Sequence, residues 1–278
     1  MKRRRGGGHR STIEMASMGE TLRKHWPEYL MEGAELALFL VAAAVVTSLI
    51  HHPASPIRHG IEDPVLRRLV VGALMGLTLI GLVQSPWGRQ SGAHMNPSLT
   101  LTFLRLGKVA PWDAAFYVVA QFAGAIAGIV LAATVIGPAL ASPEVDYVAT
   151  RPGTPGPAVA FAGEAAISFV LMLTVLNVSN TMRLSRYTPY FVGVLVATYI
   201  TLESPLSGMS MNPARTLGPA LLGQIWDALW IYFTAPLLGM LLAAEIYVRR
   251  HGAGRVWCAK LQHDTSKRCI FRCAHPAV

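Results

Sequence analysis

Charged residues are scarce in this chain. Asp, Glu, Lys and Arg make up 14% of the 278 residues, whereas soluble domains carry about a quarter. Hydrophobic residues make up 53%, and the mean hydropathy is +0.42. This composition excludes an ordinary soluble protein and indicates that lipid is the solvent for much of the chain.

Cysteine is also scarce, and its placement excludes a disulfide framework. The three cysteines are Cys258, Cys269 and Cys273, all near the C-terminal end, and we expect them to be reduced thiols. His263 and His275 lie nearby, but the spacing Cys-x10-Cys-x3-Cys does not match a zinc-binding pattern. The sequence therefore predicts no metal site and no cofactor.

Catalytic motifs are lacking as well. The sequence contains no His-Glu-x-x-His, no Gly-x-Ser-x-Gly and no cysteine cluster within its apolar stretches. A membrane enzyme needs a nucleophile with its base, or a metal set. We therefore expect the protein not to be an enzyme.

Long apolar stretches are what the chain does have. A helix needs about 20 mostly apolar residues to cross the hydrocarbon core of a membrane. Six stretches have this length or come near it: Leu30–Ile50, Leu66–Val83, Trp112–Gly137, Ala158–Val178, Pro189–Leu202 and Trp226–Val248. They predict one all-α membrane domain over 30–248. Residues 1–29 form a basic extension, of which 1–14 are expected to be disordered, so Met1, Met15 or Met18 could be the start. Residues 249–278 form a basic tail.

The net charge of +9 is explained by its distribution. If all six stretches cross, the 24 Lys and Arg residues lie on the side of the termini except for Arg58, Arg67, Arg68, Arg151 and Arg215. This is the positive-inside bias. It predicts cytoplasmic termini in a cell (inner or plasma) membrane and requires no nucleic-acid partner.

An internal repeat is the strongest signal. Residues 91–101 (SGAHMNPSLTL) and 207–217 (SGMSMNPARTL) share seven of eleven positions. Glu32 and Glu164 correspond at the start of spans one and four, and the Gln-Phe-Ala-Gly ending at Gly124 corresponds to the Pro-Leu-Leu-Gly ending at Gly239. The repeats cover about 30–137 and 158–248, each with three spans.

Three is an odd number, so the second repeat must cross the membrane in the opposite sense. The two Asn-Pro segments, Pro97–Leu106 and Pro213–Leu222, then enter from opposite faces. Each is too short to span the membrane, which suits a re-entrant half-helix. The two tips are expected to meet near the midplane around a solute pathway.

The tips carry chemistry suited to neutral solutes. Asn96 and Asn212 could merely cap their helices, but two copies in an inverted repeat favour a lumen-facing role with N–H donors and positive dipole ends. Arg215 lies one turn further and either snorkels to a surface or blocks cations in the lumen; we expect the latter. Glu32 and Glu164 are expected to accept hydrogen bonds from the re-entrant loops. His94 is expected to orient its loop; the alternative is that it lines the pore.

With these motifs the chain resembles the aquaporin, or major intrinsic protein, family over about Glu32 to Val248. The resemblance rests on SGAHMNPS and MNPARTLGPA and implies six tilted helices plus two half-helices, a homotetramer in the lipid bilayer and a pore in each subunit. The pore motifs then comprise Asn96, Pro97, Ser98, Asn212, Pro213 and Ala214. Ser98 departs from the usual Ala. The loops look nearest to the nodulin-like branch and its bacterial relatives.

The family's four-residue constriction maps onto Ile200, Met209, Arg215 and a span-two position. That position is Met75 if Gly-Leu-Thr is the anchor, or Gly76 if one counts back from Asn96. The aromatic and His of water-selective members are missing. Flexible Met side chains leave a wide or a narrow opening possible, and we favour the wide one.

The resemblance and the repeat predict a passive channel for water or small uncharged solutes that excludes protons and ions. Glycerol, urea and undissociated metalloid acids are candidate solutes. The alternative is a secondary transporter, because such carriers also contain inverted repeats with broken helices. Coupled transport usually needs a titratable group at the midplane, and only Glu32 and Glu164 are candidates.

Overall fold

The computed structural model describes residues 17–263 and 266–276, and its regular structure is helical. The predicted disordered extension, 1–14, lies outside these residues. Eight helices form the bundle: α1 (Met18–His51), α2 (Pro64–Gln84), α3 (Pro97–Arg105), α4 (Pro111–Ile136), α5 (Pro157–Ser179), α6 (Thr188–Leu202), α7 (Pro213–Gly223) and α8 (Trp230–His251). Short helices at Pro56–Gly60, Pro86–Ser91 and Ser204–Ser207 lie in the connections.

Proline determines where most of these helices begin. Pro64, Pro97, Pro111, Pro157 and Pro213 each occupy the first helical position, where the missing N–H has no intrahelical acceptor to lose and the ring presets φ. Polar caps complete several starts; the side chain of Asp63, for example, accepts the backbone N–H groups of residues 65 and 66. Helix starts are therefore encoded locally.

One helix begins earlier than expected, and another is as short as expected. Helix α1 begins at Met18, so residues 18–29, which we predicted to belong to the N-terminal extension, are helical. Ser17 caps this start by accepting the N–H of Glu20. Five helices of the described residues are long and apolar enough to cross a membrane. Helix α6, at 15 residues, is shorter, in keeping with the short fifth apolar stretch.

Small residues let the helices pack closely in pairs. A Cβ added at Gly124 of α4 would overlap the backbone of Gly33 in α1, and one at Gly239 of α8 would overlap Ala165 in α5. Gly76 of α2 packs on α6 in the same way. Contacts this close provide the van der Waals packing that drives helix association in lipid. The pair α1–α4 in the first repeat thus matches the pair α5–α8 in the second.

The half-helices α3 and α7 lie inside the bundle, α3 against α8 and α7 against α4. The start of α1 and the described residues near the C-terminus lie at one face, here called the terminal face: the side chain of Arg268 donates to the Lys24 carbonyl at 2.6 Å. The opposite face, here called the loop face, carries the connections between α1 and α2 and between α4 and α5. The two repeats, each with three long helices, therefore run through the bundle in opposite directions.

Candidate functional site

The tip of α3 is held by both halves of the molecule. Asn96 caps the helix, its Oδ1 accepting the N–H of Ser98 at 2.9 Å. Its Nδ2 donates to the carbonyl of Met211, in the other re-entrant loop, at 2.7 Å. The carboxamide therefore has a single orientation, set by its own helix and by the opposite loop.

The tip of α7 repeats this arrangement. Asn212 Oδ1 accepts the N–H groups of Ala214 at 3.0 Å and Arg215 at 3.2 Å, and Nδ2 donates to the carbonyl of Met95 at 2.7 Å. Each carboxamide NH₂ has two hydrogens, and one remains for a solute. Because both tips are also positive dipole ends, the centre of the molecule offers donors and positive potential.

Two buried glutamates hold the loops that present these tips. Glu32 accepts the N–H of His94 at 2.8 Å on one oxygen and that of Met95 at 2.7 Å on the other. Glu164 accepts the N–H groups at the corresponding loop positions, residues 210 and 211, at 2.6 and 2.7 Å. Both carboxylates are fully buried. Each one therefore fixes two consecutive peptides just before its Asn.

The loops adopt a backbone that few sequences tolerate. Met95 and Met211 have φ of 48° and 55°, and Ala93 and Met209 have φ of 55° and 52°. A non-glycine residue in this left-handed region costs about 1–3 kcal/mol. The carboxylates of Glu32 and Glu164 offset part of this cost, because they accept the N–H of the strained Met in each loop.

A cavity of about 330 Å³ passes between the two tips. Asn96 and Asn212 line its middle, and Thr47, His51 and Arg68 line its loop-face end. Ionisable side chains along the described lining are cations or histidines, namely His51, Arg68, His94 and Arg215, without a carboxylate among them. The cavity is therefore apolar for most of its length, with donors and positive charge at particular levels.

The four residues mapped to the constriction all line this cavity: Met75, Ile200, Met209 and Arg215. Gly76, the alternative at the span-two position, instead faces α6, where an added Cβ would lie 2.5 Å from the Gly193 carbonyl oxygen. The rotation of α2 about its axis thus turns Met75 toward the cavity. Three of the four side chains are apolar.

Arg215 projects along the cavity on the loop-face side of Asn212. Its Nη1 donates to the carbonyl of Val148 at 2.8 Å, in the connection between α4 and α5. Arg151 braces that connection through ion pairs with Asp146 at 3.0 Å and Asp227 at 2.9 Å. The guanidinium is thereby held beside the cavity, with donors remaining for a solute oxygen.

The other residues of the Asn-Pro motifs lie behind the tips. Pro97, Ser98, Pro213 and Ala214 are buried and lie outside the cavity lining. The Ser98 carbonyl accepts the hydroxyl of Thr102 at 2.8 Å. These residues shape and pack the half-helices, whereas the two Asn side chains face the cavity.

His94 connects the first loop to the C-terminal part of the chain. Its Nε2 lies 2.8 Å from the carbonyl of Ala259 and its Nδ1 lies 3.0 Å from Thr100 Oγ1. Since a carbonyl can only accept, Nε2 carries the proton. Gln121 donates to Glu32 at 3.0 Å and to Thr100 at 3.0 Å. His94 thus orients its loop and also borders the cavity.

Sequence reasoning missed the C-terminal segment, which we define as the described residues 256–263 and 266–276. Its residues Val256, Cys258, Ala259 and Leu261 are buried against the terminal face, and Leu261 lines the cavity. The structure also brings together the side chains of three cysteines and His263. The apolar run VWCAKL, directly after a basic stretch, was the available signal.

The fold and the site together define an integral membrane protein built as an inverted repeat around two facing helix tips. The sequence profile described as Major intrinsic protein matches residues 23–247. The chain belongs to this family, the aquaporins and their relatives.

The sequence aligns with named aquaporins over different shares of its length. A protein described as probable aquaporin NIP7-1 from Arabidopsis thaliana is 35% identical over 62% of this chain and 61% of its own length. Thus the match spans about three fifths of that plant relative. Probable aquaporin AqpM from Archaeoglobus fulgidus is 32% identical over 83% of this chain and 98% of its own.

A solved structure shows the same fold. The aquaglyceroporin from Plasmodium falciparum superposes with a TM-score of 0.66 at 17% identity, covering 80% of this chain and 95% of that one. At 17% sequence identity, this similarity shows a shared arrangement of the helices.

Proposed function

We propose that the protein is a passive transmembrane channel for water and small uncharged solutes. The observation that carries this proposal is that the two half-helix tips meet at one cavity, where Asn96 and Asn212 each donate a hydrogen bond to the opposite loop. A solute passing the tips exchanges its hydration for the two carboxamide N–H groups. Neither group can accept a proton, so the chemistry suits a neutral hydrogen-bonding solute.

The same geometry supports exclusion of ions and protons. The two positive helix ends and the Arg215 guanidinium create a positive potential along the cavity, where little water screens their charge. Cations are repelled by this potential. A water whose oxygen accepts from both Asn side chains points its hydrogens away from the tips, so it cannot relay a proton through the midplane. We therefore expect neutral solutes alone to pass.

A secondary transporter is the alternative, and the contacts of the glutamates argue against it. Both oxygens of Glu32 and of Glu164 hold backbone N–H groups, so protonation in a transport cycle would release the loops. The described cavity lining contains cations and histidines as its ionisable groups. Coupled carriers usually place an acidic group in the pathway.

The constriction supports a broad choice of solutes. Met75, Ile200 and Met209 provide apolar walls, which leaves Arg215 as the constriction side chain with fixed donors. We propose that glycerol, urea and undissociated metalloid acids pass in addition to water. Methionine adapts its shape, so this wider opening is the preferred of the two possibilities raised by the sequence.

The orientation and the oligomeric state of the channel are proposed from the distribution of Lys and Arg residues and from the family resemblance. We place it in a cell membrane with the terminal face toward the cytoplasm, because the sequence predicts an excess of Lys and Arg residues on the side of the termini. We propose a homotetramer with a pore in each subunit, as the family resemblance implies, and no enzymatic activity. Exposed apolar side chains such as Leu77, Val135 and Leu202 would contact lipid or neighbouring subunits.

A stopped-flow assay on proteoliposomes tests the proposal. Vesicles containing the chain are mixed with hyperosmotic sucrose, glycerol, urea or boric acid, and light scattering follows their volume. We expect faster water efflux than in empty vesicles and re-swelling with the three small solutes. Permeabilities equal to those of empty vesicles for water and every solute would contradict the proposal.

A further inference from the structure

The C-terminal segment is folded onto the terminal face rather than projecting from it. The Leu261 N–H donates to the carbonyl of Gly92 at 3.1 Å, and the Trp257 N–H donates to Asn180 Oδ1 at 2.7 Å. His94 donates to Ala259, as described above. The segment is thus anchored on the loop that leads into α3 and on the end of α5.

Leu261 occupies the terminal-face end of the cavity. It is 4% exposed and lines the cavity together with Leu79 of α2 and Val175 of α5. The adjacent Lys260 donates to the carbonyls of Arg89 and Arg268, each at 2.7 Å. These bonds tie the position of Leu261 to both the first re-entrant loop and the rest of the segment.

Four metal-ligating side chains meet just behind Leu261. Cys258 Sγ lies 3.6 Å from Cys269 Sγ, and Cys273 Sγ lies 3.2 Å from His263 Nε2. One ligand atom from each residue lies within 4.8 Å of all the others. A tetrahedral zinc site with Zn–S of about 2.3 Å and Zn–N of about 2.0–2.1 Å has ligand–ligand edges of about 3.5–3.8 Å. The cluster therefore needs shifts of about 1 Å or less per edge to coordinate zinc.

The construction of the segment also favours a metal ion. Its described residues contain no helix or strand, yet Cys258, Leu261 and Phe271 are buried. Short irregular stretches rarely hold a buried arrangement without a staple such as a metal or disulfide. Three thiolates with Zn²⁺ carry one net negative charge, which the neighbouring Lys260 balances.

We propose that Cys258, His263, Cys269 and Cys273 bind Zn²⁺ and thereby lock Leu261 across the terminal-face end of the cavity. The ion joins both ends of the segment, so its release removes one of the restraints on the stretch that carries Leu261. The sequence spacing alone did not predict this site. The metal-binding half stands by itself, and the effect on transport rests on the proposed channel function.

The metal-binding half is tested on the purified full-length chain. The protein is loaded with zinc and dialysed, and its metal is measured by mass spectrometry, with Co²⁺ substitution to observe the visible bands of tetrahedral thiolate ligation. We expect a single zinc ion per chain, lost in Cys273→Ser and in His263→Asn. The control is His59→Asn, because His59 is exposed in a distant connection and its variant should retain zinc.

Either of two results with the parent chain would overturn the site: no zinc retained under reducing conditions, or a Cys258–Cys269 disulfide in the protein as purified from cells. Retention of zinc by both ligand variants would overturn it as well, because it would place the ion elsewhere.

The locking half is tested by flux. We expect chelation of zinc to raise solute flux of the parent several-fold, and Leu261→Ala to raise it in the zinc-bound state without loss of metal. Zinc-bound and zinc-free vesicles with equal flux would contradict the lock. A chain that binds zinc but passes no solute in either state would contradict the channel function and leave the metal site standing.

Discussion

Replacing Glu164 with glutamine should disconnect the second re-entrant loop. The Ser210 N–H donates to Oε1 and the Met211 N–H donates to Oε2, so each oxygen holds a different peptide. Whichever way a glutamine amide is turned, its NH₂ group faces one of these two donors. The variant therefore leaves one buried N–H without an acceptor and removes the carboxylate from the hydrogen bond that remains.

The magnitude follows from these two losses. A buried N–H that loses its acceptor costs about 1–3 kcal/mol, and a hydrogen bond to a charged group is worth about 1.5–3 kcal/mol, of which a neutral amide recovers a part. We expect a destabilisation of about 2–4 kcal/mol, which for a domain of this size lowers the Tm by roughly 5–10 °C. Because Met211 is held in a left-handed conformation, the loop should relax and displace Asn212.

The assay is thermal unfolding in detergent together with water flux in vesicles. Glu32→Gln should behave similarly, since its two oxygens hold the N–H groups of His94 and Met95 in the same pattern. The matched control is Glu245→Gln, where the carboxylate forms an exposed pair with Arg249 worth about 0–1 kcal/mol. A Glu164 variant with the melting temperature and flux of the control would show that the carboxylate does not hold the second re-entrant loop.

Three further experiments test other parts of the structure. Arg215→Val should keep the melting temperature but raise proton or cation leak, because it removes the fixed charge beside the tips; unchanged leak in a well-inserted variant would count against the role of Arg215. Gly124→Val should abolish folding through overlap with α1, whereas Gly81→Val should be tolerated because an added Cβ meets nothing within 4 Å; equal yields of folded protein would contradict this packing. Ile200→His combined with Met75→Phe should lower glycerol and urea flux relative to water, and a double variant no more selective than the parent would speak against a broad constriction.

Local signals made much of the channel core predictable from sequence. Asn followed by Pro is a strong helix start, and its two copies predicted both half-helices. The odd number of spans per repeat determined their opposite directions. Glu32 and Glu164 could be paired with the loops because they occupy equivalent positions in the two repeats.

Features that depend on contacts between distant segments were not predictable. Counting along α2 left Met75 and Gly76 as alternatives, and only the packing of Gly76 on α6 decides the rotation of the helix. The N-terminal start of α1 was placed too late because polar residues there conceal a helix that continues beyond the apolar stretch. The C-terminal segment has no periodicity, so its placement at the cavity could not be inferred from pattern.

Water flux and proton leak measured in the same vesicles test the proposed channel function directly. Light scattering gives the water permeability, and a pH-sensitive dye inside the vesicles gives the proton permeability under an imposed pH gradient. We predict that increasing the amount of inserted protein raises water permeability in proportion while proton permeability stays at the level of empty vesicles. A proton permeability that rises in step with water permeability would contradict the proposal that the two facing helix tips and Arg215 exclude protons while neutral solutes pass through the channel.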